Sequence, residues 1–148
     1  MSRRIFDAHL HIIDPSFPLV ANQGYLPPPF GADDYLAAVA SLGVRGGAVV
    51  TGSFQAFDQT YLLAALARLG PAFVGVTQLP PQATDAEIAS LDAAGVRAVR
   101  FNLHRGGSAG VDDLERLARR AWDVAGWHAE LYVDARNLPE LAPRLARL

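Results

Sequence analysis

Cysteine is absent from this chain of 148 residues. Disulfides, thiolate zinc sites and cysteine nucleophiles are therefore excluded, and any metal must be held by His, Asp or Glu. Long apolar runs are missing too, since nothing approaches the ~18 residues of a membrane span. Positive charge is not in excess: 13 Lys and Arg stand against 15 Asp and Glu, a net charge of −2. That balance removes the electrostatic case for nucleic acid or an anionic membrane as partner. The start, Met1 to Asp7, carries two arginines but no apolar h-region, so it does not read as a signal peptide. Gly106, Gly107 and Gly110 match neither a P-loop nor a dinucleotide fingerprint, and no Gly-x-Ser-x-Gly elbow occurs. The expectation is a cytoplasmic protein.

Apolar residues make up 51 % of the chain and charged residues 19 %. Such a composition suits one globular domain with a hydrophobic core. Strand-like and helix-like runs alternate. Strands are expected over 4–12, 44–51, 72–79, 96–103 and 127–134. A Pro-rich loop from Pro15 to Phe30 follows the first strand, and its triple proline at 27–29 bars regular structure. A helix capped by Asp33 or Asp34 runs through Leu42 and stops at Gly43. Further helices are expected over 57–69, from Thr84 to near Gly95, over 111–125 and from about Asn137 onward. Thr84 and Glu87 have capping-box spacing.

Five βα units imply a parallel sheet covered by helices. Two architectures satisfy the rhythm. One is a five-stranded flavodoxin-like sandwich. The other is the first five units of a (β/α)8 TIM barrel, which needs about 250 residues when complete. On the second reading, residues 1–148 are a single, incomplete barrel domain, ending inside a helix at Leu148.

The first strand contains Phe6-Asp7-Ala8-His9-Leu10-His11-Ile12. Strict alternation places Asp7, His9 and His11 on one face and Phe6, Ala8, Leu10 and Ile12 on the other. Imidazoles two residues apart on a strand can lean onto one ion, or they can face solvent and bond locally. On the fourth strand, Val96, Ala98, Arg100, Asn102 and His104 share a face, apolar early and polar late. That polarity points to chemistry at the C-terminal ends of the strands, where barrel enzymes place it. Arg100 is suited to a bidentate carboxylate contact, or to balancing a buried acid such as Asp7. Arg105 sits in the following loop, where it either binds an anion or faces solvent. His104 is a base or a loop histidine. On the fifth strand His128, Glu130, Tyr132 and Asp134 share a face. Tyr132 is either a substrate hydrogen-bond donor or a core tyrosine, and His128 lies at the wrong end for a ligand. Ser53, after the second strand, contacts substrate or caps a helix.

Phe6-Asp7-Ala8-His9-Leu10-His11 resembles the first-strand signature of the amidohydrolase superfamily. Together with Gly95 to Leu103 and Leu131 to Ala135, it is similar to the branch of decarboxylases and lactonases that includes 2-pyrone-4,6-dicarboxylate lactonase. The resemblance implies a (β/α)8 barrel and a hydrolysis or decarboxylation. Many members hold a divalent metal, often zinc, with the first-strand histidines, a later histidine and an eighth-strand aspartate. Others work without metal. Metal-dependent members usually place a histidine at the end of strand five, and here that place is Tyr132 to Asp134, which favours the metal-free type. Zinc on His9 and His11 and a metal-free site both stay open. By resemblance, Arg100 and Arg105 match arginines that bind substrate carboxylates, and Ser53 matches a polar substrate contact.

The resulting expectation is a hydrolase of a small carboxylated lactone or cyclic ester. The arginines hold carboxylates, His9 and His11 polarise the carbonyl, and an aspartate of strand eight, beyond Leu148, activates water. A metal-dependent amidohydrolase or decarboxylase is the neighbouring alternative. The alternative of another class is a half-barrel without catalytic activity that pairs as a homodimer to cover its open sheet.

Overall fold

The structure, a computed structural model, describes residues 4–148. Its strands are β1 (Ile5–Leu10), β2 (Val44–Val50), β3 (Phe73–Thr77), β4 (Val96–Asn102) and β5 (His128–Tyr132). Its helices are α1 (Ala32–Val39), α2 (Thr60–Leu69), α3 (Asp85–Ala93), α4 (Val111–Ala125) and α5 (Leu138–Leu145). Every strand is shorter than its apolar run, because the residues past each C-terminal end leave the ladder to build loops. No helix of the described residues is long and apolar enough to cross a membrane.

All neighbouring strands are parallel, and the spatial order is β1-β2-β3-β4-β5. That order decides between the two architectures. A flavodoxin-like sheet reverses its strand order once, which sends helices to both faces. Here there is no reversal. Right-handed crossovers then place every connecting helix on one face, and the other face becomes the inside of a barrel wall. The chain forms the first five βα units of a TIM barrel, and the flavodoxin-like alternative is excluded.

The two faces bury different residues. On the helix side, Leu62, Leu66, Ile88, Leu114 and Leu117 form one core with Val49, Val96, Val99 and Phe101 of the strands. On the inner side lies a second cluster of small residues, Ala48, Val50, Val76 and Ala98, with Val74 against it. Above that apolar layer, toward the C-terminal strand ends, the buried residues turn polar: Gln78, Arg100 and Asn102.

Two of the three register shifts in the sheet overturn an expected face. Asp7 pairs with Gly47 and Leu10 with Val49, so one extra β1 residue is inserted between the pairs. This bulge breaks the expected alternation. Asp7 turns to the helix side, where it accepts a hydrogen bond from the Tyr35 hydroxyl at 3.0 Å. The placement of Asp7 with His9 and His11 is therefore overturned, as is the apolar set opposite it. Leu10 and Ile12 are buried, but Phe6 is 57 % exposed. In β4, Gly75 pairs with Val96 and Val76 with Ala98. The extra residue, Arg97, sends Val96 into the helix-side core, while Ala98 stays inside. Val96 thus leaves the face shared by Arg100 and Asn102.

The helix boundaries follow local chemistry. Thr84 caps α3 by accepting from the Glu87 N–H, and the Glu87 carboxylate accepts from the Thr84 N–H at 2.7 Å. Helix α4 ends at Gly126, which has a left-handed φ of 70°. Gly31, not Asp33 or Asp34, is the N-cap of α1, and Asp34 reaches back to accept from its N–H. Helix α2 starts at Thr60 rather than Phe57, because Ser53–Gln55 forms a short 3-10 turn and Ala56 takes a φ of 47°.

Gly46 is required by a close backbone approach. A Cβ there would lie 2.3 Å from the Ala72 carbonyl oxygen. Gly46→Ala is expected to cost about 1–3 kcal/mol, because rigid backbone must shift to admit the methyl. Urea unfolding of the two proteins measures this.

Candidate active site

The C-terminal strand ends surround a cavity of about 240 Å³. His9, His11, Gly52, Ser53, Phe54, Arg100, Asn102, Arg105 and Tyr132 line it. All six side chains expected from the sequence to serve a site are brought together here. They come from β1, β4, β5 and the loops after β1, β2 and β4. A wider space of about 650 Å³, lined by Asn22, Gln23, Tyr25 and His104, adjoins it and shares Ser53 and Arg105. The expected loop 15–30 borders this space. It carries a narrow turn in which Asn22 and Tyr25 exchange backbone hydrogen bonds. His128, at the start of β5, is exposed and lies outside both spaces.

The imidazoles are oriented by specific partners. His11 Nδ1 is 2.7 Å from the Val50 carbonyl oxygen. A carbonyl only accepts, so Nδ1 carries the proton and Nε2 is left with a lone pair. Burial pulls the His11 pKa below its usual value, chiefly by desolvating the charged form. His9 Nε2 lies 3.3 Å from Arg100 Nη1. A guanidinium only donates, so His9 Nε2 accepts. The two rings meet edge to face with centroids 5.0 Å apart.

Arg100 is almost completely buried, and its Nη1 donates to Glu130 Oε1 at 2.7 Å. The acid that balances Arg100 is therefore Glu130, not Asp7. Its guanidinium carbon also sits 5.6 Å from the centre of the Tyr132 ring. Burial alone lowers the Arg100 pKa, and the charge of Glu130 is the largest opposing influence. Arg105 differs: its backbone is held while its side chain remains at the cavity. Its N–H donates to Asn102 Oδ1 at 3.0 Å, and its carbonyl accepts from the Asn22 amide at 3.0 Å. Among the described residues, no acid lies within salt-bridge distance of Arg105. His104 stands over the edge of Tyr132, with ring centroids 5.5 Å apart.

Sequence reasoning left three side chains without a role. Glu130 shares the alternating face of Tyr132, but its partner is set by strand register, which pairs it with Arg100. Gln55 and Gln78 are the others, both buried. Gln55 donates to the Ile12 carbonyl and accepts from the Gly52 N–H, each at 2.7 Å. Gln78 donates to the carbonyls of Gly52 and Ala56. These amides tie the loop bearing Ser53 to the loop after His11 and to the end of β3. Buried amides directly after strands are the signal that would have found them.

Of the two imidazoles, His11 alone offers an open lone pair to a metal in this arrangement. The His9 lone pair that would bind one is taken by an Arg100 N–H, and a second cation in front of that guanidinium would be repelled. Among the described residues, no three His, Asp or Glu groups converge as a metal set.

Sequential parallel strands with a polar cavity at their C-terminal ends define the first five units of a barrel, and the chain belongs to the amidohydrolase family, whose profile matches residues 6–148. Two curated relatives are hydrolases by name. The chain is 30 % identical over 128 residues to 4-sulfomuconolactone hydrolase of Rhizobium radiobacter, covering 85 % of this chain and 42 % of that one. It is 32 % identical over 139 residues to the 2-pyrone-4,6-dicarboxylate hydrolase of Comamonas testosteroni, covering 91 % and 45 %. The chain thus spans less than half the length of these curated relatives. Among solved structures, an Agrobacterium tumefaciens protein superposes with a TM-score of 0.83 at 26 % identity, covering 95 % of this chain and 52 % of that one. An Acinetobacter baumannii protein, described as a probable 2-pyrone-4,6-dicarboxylic acid hydrolase and solved with citric acid bound, gives 0.82 at 21 %. That match covers 95 % and 54 % and shares the fold.

Gln55→Leu would leave the Ile12 carbonyl and Gly52 N–H buried without partners. The expected cost is about 1–3 kcal/mol of stability. Chemical unfolding measures the loss, and a shift of the Ser53 amide resonance reports the displaced loop.

Proposed function

We propose that residues 1–148 are the N-terminal part of an incomplete barrel domain and supply half the active site of a hydrolase acting on a small carboxylated lactone or cyclic ester. The observation that carries this reading is the gathering of His9, His11, Ser53, Arg100, Arg105 and Tyr132 around one cavity. The names of the two curated relatives support the substrate class.

Arg105 has the charge and freedom to bind a substrate carboxylate through two hydrogen bonds. Ser53 and Tyr132 offer hydroxyl donors toward a carbonyl oxygen on which negative charge develops. The expected role of the imidazoles is revised by their tautomers. Polarising a carbonyl requires a proton on Nε2, whereas neutral His11 offers a lone pair there. His11 is therefore the acceptor for a proton of the attacking water. Water oxygen bonds to the lactone carbonyl carbon, the ring C–O bond breaks, and the proton held by His11 passes to the departing oxygen. No metal enters this scheme.

The test is hydrolysis of a pyrone or muconolactone carboxylate, followed by loss of substrate absorbance, with the chain and with the uninterrupted reading frame that contains it. His11→Gln is expected to lower kcat by about a hundredfold or more. Arg105→Met is expected to raise KM about 10- to 100-fold with a smaller effect on kcat, since it removes a charge-assisted contact. Equal turnover in both variants overturns the assignment. The exposed Phe6 and the open edges of β1 and β5 favour a second reading, a self-associating half-barrel that binds without turnover. A concentration-dependent homodimer with no hydrolysis in either form of the protein supports it.

A further inference from the structure

Glu130 does not line the cavity, yet it governs two groups that do. Arg100 and Glu130 are in-register partners on adjacent parallel strands, and their side chains meet at 2.7 Å. The Arg100 side chain is 6 % exposed and that of Glu130 27 %. A guanidinium buried this deeply needs a countercharge. The same Arg100 Nη1 that donates to Glu130 Oε1 also faces His9 Nε2 at 3.3 Å. His9 Nδ1 stands 3.9 Å from that same Glu130 oxygen, too far for a hydrogen bond, so the contact that orients the ring is the one to Arg100. Tyr132 closes the other side of the guanidinium.

We propose that Glu130 is a positioning residue with two separable effects: through Arg100 it locks His9 in the tautomer with Nε2 as acceptor, and by cancelling the Arg100 charge it leaves Arg105 as the anion anchor of this half of the site. The first effect depends on the length of the side chain. Shortening it draws Arg100 away from His9. The second depends on charge. With Glu130 neutral, Arg100 becomes an uncompensated cation beside Arg105, and the pair suits two carboxylates rather than one. The charge effect rests on the carboxylate-binding role given above to Arg105, whereas the tautomer effect does not depend on any reaction.

Two conservative variants separate the effects, and both keep a polar partner for the buried guanidinium so that the fold survives. Histidine tautomers are read from ring nitrogen resonances of isotope-labelled protein at alkaline pH. His11, held by the Val50 carbonyl, is the internal reference and is expected to stay unchanged. Glu130→Asp should convert His9 to a mixture of tautomers while leaving relative anion affinities as they are. Glu130→Gln should keep the His9 tautomer, because its amide oxygen still accepts from Arg100. It should raise the affinity for succinate relative to propionate about tenfold, as measured by calorimetry, in line with one added charge-assisted contact. A single His9 tautomer in Glu130→Asp overturns the positioning effect. Failure of succinate to gain on propionate in Glu130→Gln, including no binding of either, overturns the charge effect. Absence of lactone hydrolysis by the wild-type protein, with both results as expected, overturns only the proposed reaction.

Discussion

The handedness of the crossovers, combined with a strand order that never reverses, governs the rest of this molecule. A parallel strand returns to the sheet almost always through a right-handed connection, and each connection here adds its strand on the same side. The helices therefore accumulate on one face and bury the large aliphatic core there. All five strands end at the same edge, so their C-terminal loops converge. A cavity formed by β1, β4, β5 and three loops is a consequence of that convergence, not of any one motif.

The inner face is layered accordingly. Small apolar residues fill its lower part, and the polar residues that follow would be costly there without partners. Most of their polar atoms are satisfied by one another and by the loop backbone, while Gln78 Oε1 and Arg100 Nε are buried without a protein partner. Gln55 and Gln78 spend their amides on loop carbonyls and N–H groups, which turns flexible connections into fixed walls. Gly107 allows the loop after β4 to approach the Ser53 backbone closely, since a Cβ there would meet the Ser53 carbonyl at 2.8 Å. Positions that look like mere connection in the chain are thus part of the cavity's frame.

Electrostatics then divides labour among groups of the same type. The two arginines are five residues apart, yet one is buried and neutralised and the other is exposed and free to meet an anion. The two histidines are two residues apart, yet one lone pair is occupied by Arg100 and the other is open. Such distinctions come from what each side chain touches, and they convert a cluster of like residues into a site with different roles.

The five-unit rhythm, the capping box at Thr84 and Glu87, the span of α4 and the placement of polar residues late in β4 were legible in the sequence. They depend on local periodicity and short-range hydrogen bonds. So was the meeting of His9, Arg100 and Tyr132 at one end, because alternation and parallel direction suffice to predict it. The departures arise where a single inserted residue matters. Bulges in β1 and β4 carry Asp7 and Val96 to the opposite face, and nothing in the local pattern announces them. Strand order, register and the pairing of Arg100 with Glu130 across 30 residues were decided by tertiary structure alone. The periodicity of the chain determines which elements form and which end of each is polar. Which side chains then share a hydrogen bond depends on the alignment of separate strands, a balance of long-range packing that no local stretch contains.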